Sequence, residues 1–395
     1  MNKNEFIENA KKFINDPPYY YPPYNKKTWG NRWHSLCSYH GKLKPSIAHF
    51  LIKNFSKEND IILDPMAGVG TIPFEAALQG RIAYGNDLSK MAYIITRAKL
   101  NIVSIEEIDK VLNTLEKYLN DNIRLKRVDE LVTKYKDFGL NRTLKEYFEE
   151  NTFKEILACR EYFNSKKELS NSECIVFSSF MHILHGNRPY ALSRTSHPLT
   201  PYAPKGEFKY KSVINCIKNK IGILYNLKNG KNQINLFDSD GEFLNYKEGK
   251  MTLGDTLEIS KYYQNIDIII TSPPFVSSLK FYTQNWMRLW LSGWEENDYK
   301  NAESDFLEAK QKKDISIYEQ IFKEFYKALK SEGKVILHLG KTAKFDMAKE
   351  ILPYSKMFFD VLYIGEENVQ NVQKHGIKDK GSTNIHQFLF LQKKD

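Results

Sequence analysis

The chain has 395 residues, of which 42% are hydrophobic, and this length and composition indicate a globular protein with a large core. Lysine and arginine number 58 against 48 aspartate and glutamate residues, and the resulting formal charge of +10 favours a polyanionic partner. No apolar run is long enough to span a membrane, and the four cysteines form neither C-x-x-C pairs nor clusters with histidine, so we expect a cytoplasmic protein without membrane contact or a metal site.

The first part of the chain alternates short strands with helices. A helix is predicted over residues 44–55, after a loop rich in aromatic residues and proline. Strands are then predicted over 60–65 and 81–87, and each is followed by a helix, over 71–80 and 90–101. Alternation of this kind predicts a parallel, doubly wound sheet.

A long helical stretch interrupts this alternation. From Ser104 to about residue 227 the apolar pattern predicts helix after helix and no convincing strand, and the first of these helices begins with a capping box of Ser104 and Glu107. Further strands are predicted over 250–255, 266–272, 333–341, 356–365 and 386–393.

The predicted fold is therefore an α/β protein with a doubly wound, mostly parallel, seven-stranded sheet and a large helical insert. We divide the chain into residues 1–102, which hold the first half of the sheet domain, residues 103–249, which form the insert, and residues 250–395, which hold the second half.

A glycine-containing loop joins the first predicted strand to its helix, with the sequence DPMAGVGT from Asp64 to Thr71. Gly68 and Gly70 allow a ligand to approach the backbone closely, and the start of the helix offers unpaired N–H groups. A tight structural turn is the alternative explanation. The dinucleotide fingerprint is incomplete, since Pro73 stands at the third glycine position.

Acidic residues end three of the predicted strands: Asp64, Asp87 and Asp255. A carboxylate at Asp87 can bind ribose hydroxyls, and one at Asp255 can accept from an adenine amine, although a helix cap also explains Asp255. Asp64 would repel a pyrophosphate. S-adenosylmethionine, which has a ribose and a cationic centre but no phosphate, fits this set better than a dinucleotide.

The fourth predicted strand ends in TSPPF, Thr271 to Phe275. The two prolines fix an extended ridge whose carbonyl groups remain available as acceptors. Ser272 adds a hydroxyl and Phe275 a flat apolar face, so a planar ring with an exocyclic amine would find both acceptors and a stacking surface. A plain strand-ending turn is the alternative.

These two motifs resemble those of the S-adenosylmethionine-dependent amino-methyltransferases that act on nucleic acids. DPMAGVGT resembles their cofactor motif, and TSPPF resembles their catalytic motif, whose form beginning with serine is typical of enzymes that make N4-methylcytosine in DNA. KLKPSIAHFLIKNF resembles the helix that precedes the cofactor motif in that family. The resemblance covers residues of about 40–100 and 250–395.

Residue by residue, the resemblance implies one set of side chains for the cofactor and another for the target base. The cofactor set comprises Asp64, Met66, Ala67, Gly68, Gly70, Thr71, Asp87, Leu88, Asp255, Thr256 and Thr271. The catalytic set comprises Ser272, Pro273, Pro274 and Phe275. Ser272 and the Pro273 carbonyl would bind the target amine and Phe275 would stack on the extruded base. Met66 replaces a common phenylalanine and Phe275 a commoner tyrosine.

Target recognition is predicted in the helical insert and in residues 279–316. The proline-rich loop of the insert carries cationic residues among aromatic ones, and such side chains can contact guanine edges and phosphates. The candidates are Arg188, Arg194, His197 and Lys205. A loop that simply packs on the sheet domain is the alternative.

The leading hypothesis is a site-specific methyltransferase that flips cytosine out of double-stranded DNA and methylates its N4 amine, in a restriction-modification system with a cognate endonuclease. Methylation of adenine N6 in DNA is the nearest alternative. Methylation of guanine N2 in transfer RNA is another, because DPMAGVGTIPFEAAL also resembles enzymes of that kind. A nucleic-acid-binding protein with a silent cofactor site belongs to a different class.

Overall fold

A single seven-stranded sheet organises the chain. The computed structural model describes residues 1–26, 28–37, 39, 41–227, 245–276, 280–369 and 383–395. The strands are β1 (Ile61–Asp64), β2 (Ile82–Asp87), β3 (Lys250–Leu253), β4 (Ile266–Thr271), β5 (Leu329–Thr342), β6 (Phe359–Asn368) and β7 (Thr383–Lys393).

The strand order is β3-β2-β1-β4-β5-β7-β6. Strands β2 and β3 are added on one side of β1, and the later strands are added on its other side. Strands β3, β2, β1, β4 and β5 run parallel, whereas β7 is antiparallel to both β5 and β6. The prediction of a doubly wound, mostly parallel, seven-stranded sheet is therefore confirmed. The fifth predicted strand is longer than expected, because β5 begins at Leu329 rather than at residue 333.

The central strands are apolar because helices cover both faces of the sheet. Ile268, Ile269 and Ile270 of β4 are all buried, and side chains of that strand alternate between two hydrophobic clusters on opposite faces. The described helices are α1 (Lys3–Asn15), α2 (Pro45–Phe55), α3 (Thr71–Leu78), α4 (Lys90–Leu100), α5 (Ile105–Arg124), α6 (Asp129–Tyr135), α7 (Leu144–Tyr147), α8 (Glu150–Asn164), α9 (Asn171–Ile183), α10 (Val213–Leu224), α11 (Phe281–Gln284), α12 (Trp286–Leu291), α13 (Glu296–Asp305), α14 (Leu307–Lys313), α15 (Ile317–Ala328) and α16 (Met347–Ser355).

Helices α5 to α10 lie between α4 and β3, and the described part of that segment contains no strand. They pack directly on the sheet domain, since α9 contacts both α4 and α5 and shares one hydrophobic cluster with them. The predicted capping box at the start of α5 is half present, because the Ser104 hydroxyl accepts a hydrogen bond from the Glu107 amide. The polar end of the insert, residues 228–244, and residue 279 lie outside the described residues.

Helix α12, which follows the TSPPF segment in the chain, is buried among these helices. Its Trp286 and Trp290 are fully buried in the same cluster as α8 and α9. Arg160 of α8 donates to the Trp290 carbonyl at 2.9 Å and to a carboxylate oxygen of Glu295 at 2.8 Å. The helical segment and the chain after β4 therefore form one packed unit.

Two further observations concern expected absences. Across the described ranges, no helix combines the length and the apolar character required to cross a bilayer. Among the same residues, no group of three or more histidine, cysteine, aspartate or glutamate side chains is arranged to hold a metal ion. The four cysteines are buried free thiols.

Replacing Trp290 by alanine should test whether α12 anchors this unit. Because the indole is fully buried, Trp290→Ala should lower the free energy of unfolding by about 3–5 kcal/mol through lost burial and cavity formation. Urea denaturation followed by circular dichroism measures the change. Leu125→Ala, at a half-exposed position, is the control and should change stability by less than about 0.5 kcal/mol. Equal denaturation midpoints for both variants would show that α12 is not an anchor.

Candidate active site

The carboxyl ends of β1 and β4 are joined by a buried hydrogen bond. The hydroxyl of Thr271, the last residue of β4, donates to Oδ1 of Asp64, the last residue of β1, at 2.6 Å. The Met66 amide also donates to that oxygen, at 3.1 Å. Burial nevertheless raises the pKa of Asp64 to about 7, because these two bonds only partly replace water around the charge.

Asp87 at the end of β2 holds the glycine loop from the other side. One carboxylate oxygen accepts from the Gly68 amide and the other from the Ser89 amide, each at 2.9 Å. Burial raises the pKa of Asp87 to about 6, although the backbone hydrogen bonds oppose that shift. Two of the three acids predicted to bind the cofactor, Asp64 and Asp87, therefore lie on either side of the loop between β1 and α3.

Both glycines of this loop have left-handed backbone angles, with φ of 54° at Gly68 and 71° at Gly70. A side chain at Gly70 would approach Thr96 of α4 to 2.7 Å, and one at Gly68 would overlap the Tyr39 hydroxyl. Thr96 in turn donates to the Gly68 carbonyl at 2.9 Å, and the buried Lys99 ammonium donates to the Val69 carbonyl at 2.6 Å. Glycine is thus required at both positions by backbone angle and by space.

Tyr39 covers this loop, and the sequence patterns did not identify it. Its ring packs edge-to-face on Phe281 at a centroid distance of 5.2 Å. Burial raises the Tyr39 pKa well above its ordinary value, and the carboxylates of Asp87, Asp64 and Glu308 add to the effect. The hydroxyl therefore lies among the acids of the site.

Asp255 lies at the same sheet edge, after β3. Its carboxylate accepts from the Leu257 amide at 2.9 Å and is 3.7 Å from the Lys310 ammonium. Asp255 therefore caps the following helix, which the sequence analysis named as an alternative role for this residue. Asn86, which is fully buried, donates to the carbonyls of Pro65 and Gly254 and so ties the ends of β1, β2 and β3 together.

The remaining residues of the predicted cofactor set surround these acids. The amide of Ala67 donates to the Asn86 carbonyl at 2.9 Å, Thr71 is buried at the start of α3, and Met66 is half-buried. Thr256 is buried at the start of a 3-10 helix, Thr256–Lys261, whereas Leu88 is exposed at the end of β2.

The TSPPF segment leaves β4 beside Asp64. Oγ of Ser272 is 3.0 Å from Nδ1 of His338 on the neighbouring strand β5. The Pro274 carbonyl accepts from the buried Gln311 side chain at 2.7 Å, which holds the proline ridge against α14. The half-buried Phe275 ring lies against Gly340, with its centroid 5.6 Å from that of the His338 ring.

Four residues near the site were not predicted: Tyr39, Glu308, Gln311 and His338. Glu308 accepts from the Phe281 amide at 2.7 Å, and burial raises its pKa to about 7. Only His338 had a usable signal, as a single polar residue within the apolar strand sequence VILHLG. The others come from segments whose spacing carries no strand or motif pattern.

The residues predicted to contact DNA lie in the loop after α9 and differ in their contacts. Arg188 is exposed and contacts Nε2 of His182. Arg194 donates to the carbonyls of Gly206 and Glu146, at 2.6 and 3.1 Å, and lies 4.6 Å over the Phe208 ring.

Two further members of this set, besides Arg188, are exposed at the loop surface. His197 is exposed and accepts through Nδ1 from the Leu199 and Thr200 amides, and Lys205 is exposed. Arg194 therefore holds the loop, whereas the side chains of Arg188 and Lys205 reach solvent.

The chemistry of the donor set fits S-adenosylmethionine. The cofactor carries a sulfonium and an ammonium group, and the buried acids Asp64 and Asp87 accept hydrogen bonds from backbone amides and from the Thr271 hydroxyl. Gly68 and Gly70, which have left-handed backbone angles, add no side chain at their own positions that could obstruct a ligand. A cationic nucleoside would neutralise the two carboxylates and contact the backbone of the loop.

Residues 32–134 match the family model described as UPF0020, RMKL-like, methyltransferase domain. This segment contains β1, β2 and the glycine loop. By this match, residues 32–134 form part of a methyltransferase domain, whose cofactor is S-adenosylmethionine.

A curated relative is the Type II methyltransferase M.MjaII of Methanocaldococcus jannaschii, which is 28% identical over 146 residues. The match covers 34% of this chain and only 28% of that protein's length. Among solved structures, TrmN from Thermus thermophilus has 10% identity and a TM-score of 0.34, and the alignment covers 92% of this chain and 52% of TrmN. An S-adenosylmethionine-dependent methyltransferase from Methanosarcina mazei also has 10% identity and a TM-score of 0.34. That alignment covers 87% of this chain and 96% of the Methanosarcina protein. Because these TM-scores are low, the fold is assigned from the strand order of the sheet and not from these structures.

Affinity for S-adenosylmethionine should depend on pH because both acids must be ionised to bind a cation. Their raised pKa values, about 7 for Asp64 and about 6 for Asp87, mean that the carboxylates lose their protons between about pH 5 and pH 8, so affinity should rise over that range. Asp87→Ala should weaken binding by about 1.5–3 kcal/mol through loss of a charge-assisted contact. Isothermal calorimetry measures both effects.

Asp137→Ala is the matched control, because Asp137 is an exposed carboxylate paired with Lys145 in the helical segment. It should bind the cofactor with unchanged affinity and unchanged pH dependence. If the affinity of Asp87→Ala equals that of the control at every pH, Asp87 does not contact the cofactor.

Proposed function

We propose that this protein methylates the exocyclic N4 amine of cytosine in double-stranded DNA. The observation that carries the proposal is the position of TSPPF: β4 ends beside β1, and the Thr271–Asp64 hydrogen bond places the segment directly against the acidic glycine loop. An amine bound at Ser272 would therefore lie next to a cofactor held between Asp64 and Asp87.

In this proposal the bound cofactor supplies a methyl group already activated by its sulfonium. The residues of the chain orient the acceptor. The Ser272 hydroxyl and the Pro273 carbonyl accept hydrogen bonds from the amine and favour a tetrahedral nitrogen, whose lone pair can then attack. Phe275 offers a ring on which the extruded base stacks. Positioning accounts for most of the rate acceleration, because no covalent nucleophile is required.

Three features support a DNA substrate. The net charge of +10 favours a polyanion, and the catalytic motif begins with serine. The relative M.MjaII is named a Type II methyltransferase, and that name supports a role in restriction-modification with a cognate endonuclease. Adenine N6 in DNA and guanine N2 in transfer RNA remain the alternatives, and each predicts a different labelled nucleoside.

The labelled product should be N4-methylcytosine in DNA. Purified enzyme with tritiated methyl donor is incubated separately with unmethylated plasmid DNA and with unmodified transfer RNA, and the nucleosides are separated by chromatography. Phe275→Ala should weaken substrate binding by roughly 1–3 kcal/mol through lost stacking, whereas Phe275→Tyr retains a ring of the same shape and should be tolerated. Ser272→Ala should slow methyl transfer more than it weakens DNA binding.

The nucleoside that carries label separates the candidates. N6-methyladenine in DNA would identify the adenine enzyme, and label confined to transfer RNA would reject a DNA substrate. Full activity of both Ser272→Ala and Phe275→Ala would show that TSPPF is a structural turn.

Arg188→Ala should weaken DNA binding and leave cofactor affinity unchanged, because the side chain is exposed in the loop after α9. If Arg188 contacts a phosphate, the slope of log affinity against log salt should fall by about one unit. Fluorescence anisotropy with labelled duplex at several salt concentrations measures this. Lys209→Ala, which removes an exposed charge from the same surface, controls for net charge, and an identical salt slope for the two variants would contradict a specific role for Arg188.

A further inference from the structure

Ser272 is paired with a buried histidine that no motif includes. Nδ1 of His338 lies 3.0 Å from Oγ of Ser272, and the His338 side chain is only 4% exposed. Ser272 directly follows β4, and His338 lies on the adjacent parallel strand β5, whose pairing with β4 aligns Thr271 with Leu337. The contact is therefore set by the register of the sheet.

A line of polar side chains continues from His338 across the next two strands. The His386 ring on β7 is 4.6 Å from the His338 ring between centroids, and its Nδ1 is 4.0 Å from Oε2 of Glu367 on β6. That oxygen also accepts a hydrogen bond from the Tyr19 hydroxyl at 2.7 Å. In the register of the sheet, Gly340 and Glu367 each pair with His386, so His338, His386 and Glu367 project from one face.

The proposed chemistry at Ser272 requires a proton acceptor, and an imidazole nitrogen can be one. Methylation of an amine leaves a positive nitrogen that must lose a proton. A carboxylate at the position of Ser272 could keep that proton, but a hydroxyl is a very weak base. It can accept a proton only if it passes its own proton on at the same time. The nearest basic atom that the structure places on the Ser272 hydroxyl is Nδ1 of His338.

We propose that His338 is the base that removes the amine proton, with the Ser272 hydroxyl as the relay. The inference rests on the proposed function, in which Ser272 binds the target amine. The amine nitrogen forms a bond to the methyl carbon while the carbon–sulfur bond breaks and its electron pair remains on sulfur. One N–H bond then breaks and leaves its pair on nitrogen. The proton moves to Oγ of Ser272 as the hydroxyl proton moves to Nδ1 of His338, and the imidazolium later returns it to water.

The surroundings of His338 favour this transient positive charge. Groups that face it include Ser272 and the Phe275 ring from the segment after β4, and His386 and Phe388 from β7. Behind His386, the Glu367 carboxylate supplies negative charge and is itself contacted by Tyr19 and Tyr20, with Lys44 acting on it electrostatically. Glu367 is buried and so acts across a medium of low dielectric constant.

His338→Asn is the decisive variant. The amide oxygen of asparagine can occupy the place of Nδ1 and accept from Ser272, but it cannot take up a proton at neutral pH. The single-turnover rate of methyl transfer, measured with tritiated donor on the nucleic acid that the wild-type enzyme labels, should fall about 100-fold. Affinity for S-adenosylmethionine should not change. With S-adenosylmethionine at a concentration that saturates the enzyme at every pH, the wild-type rate should decline toward acidic pH, since a protonated Nδ1 cannot act as the base, and the variant should lack this decline.

The matched control is His49→Asn, which replaces a histidine that contacts Glu75 on α3 and lies outside the TSPPF segment. It should keep the wild-type rate and pH profile. A second readout needs no turnover: in nitrogen-15 spectra of the ligand-free protein, the signal of the unprotonated Nδ1 of His338 should shift in Ser272→Ala and stay in place in His49→Asn.

Two results would overturn the inference. One is a His338→Asn enzyme whose rate and pH profile lie within about twofold of wild type. The other is a nitrogen-15 spectrum of the ligand-free wild-type protein in which Nδ1 of His338 is protonated at neutral pH. This second result can be obtained even if His338→Asn does not fold. Failure of the proposed function gives a different result, which is label in a nucleoside other than N4-methylcytosine. The rates of wild type and His338→Asn can then still be compared on the substrate that is labelled.

Discussion

The hydrogen bond between Thr271 and Asp64 is the contact on which the site depends. Both side chains are buried, at 0% and 3% exposure, and their oxygens are 2.6 Å apart. A carboxylate buried without partners would be strongly destabilised, so the bond both satisfies Asp64 and joins the end of β4 to the end of β1. The glycine loop follows Asp64 and TSPPF follows Thr271. One interaction therefore places the glycine loop beside the proposed acceptor site.

The acids around this contact have raised pKa values. Burial raises the pKa of Asp64 and Glu308 to about 7 and that of Asp87 to about 6, because little in their surroundings compensates for lost water. Such perturbed carboxylates at a sheet edge are typical of functional sites rather than of structural ion pairs. A positive charge that entered this region would stabilise the ionised forms of these carboxylates.

The helical segment is continuous with the sheet domain and not an appended module. Helix α9 packs on α4, and α12 inserts its two tryptophans into the same hydrophobic cluster. Because α12 follows TSPPF in the chain, the proposed acceptor segment is held by β4 on one side and by the helical core on the other. A role of the loop after α9 in DNA recognition stays a prediction, and the contacts of Arg194 show that at least one of its cations supports the loop itself.

The sequence by itself determined the sheet, the strand ends and the two loops that follow β1 and β4, because apolar runs, prolines and glycines act locally on the backbone. It also placed Asp64, Asp87 and Asp255 together, since parallel strands present their carboxyl ends at one edge. Only the tertiary structure decided which side chains complete the site. His338 meets Ser272 through the register of β4 and β5, and Tyr39 and Glu308 arrive from distant segments. Such contacts arise from the packing of elements remote in the chain, and no local pattern in the sequence encodes them.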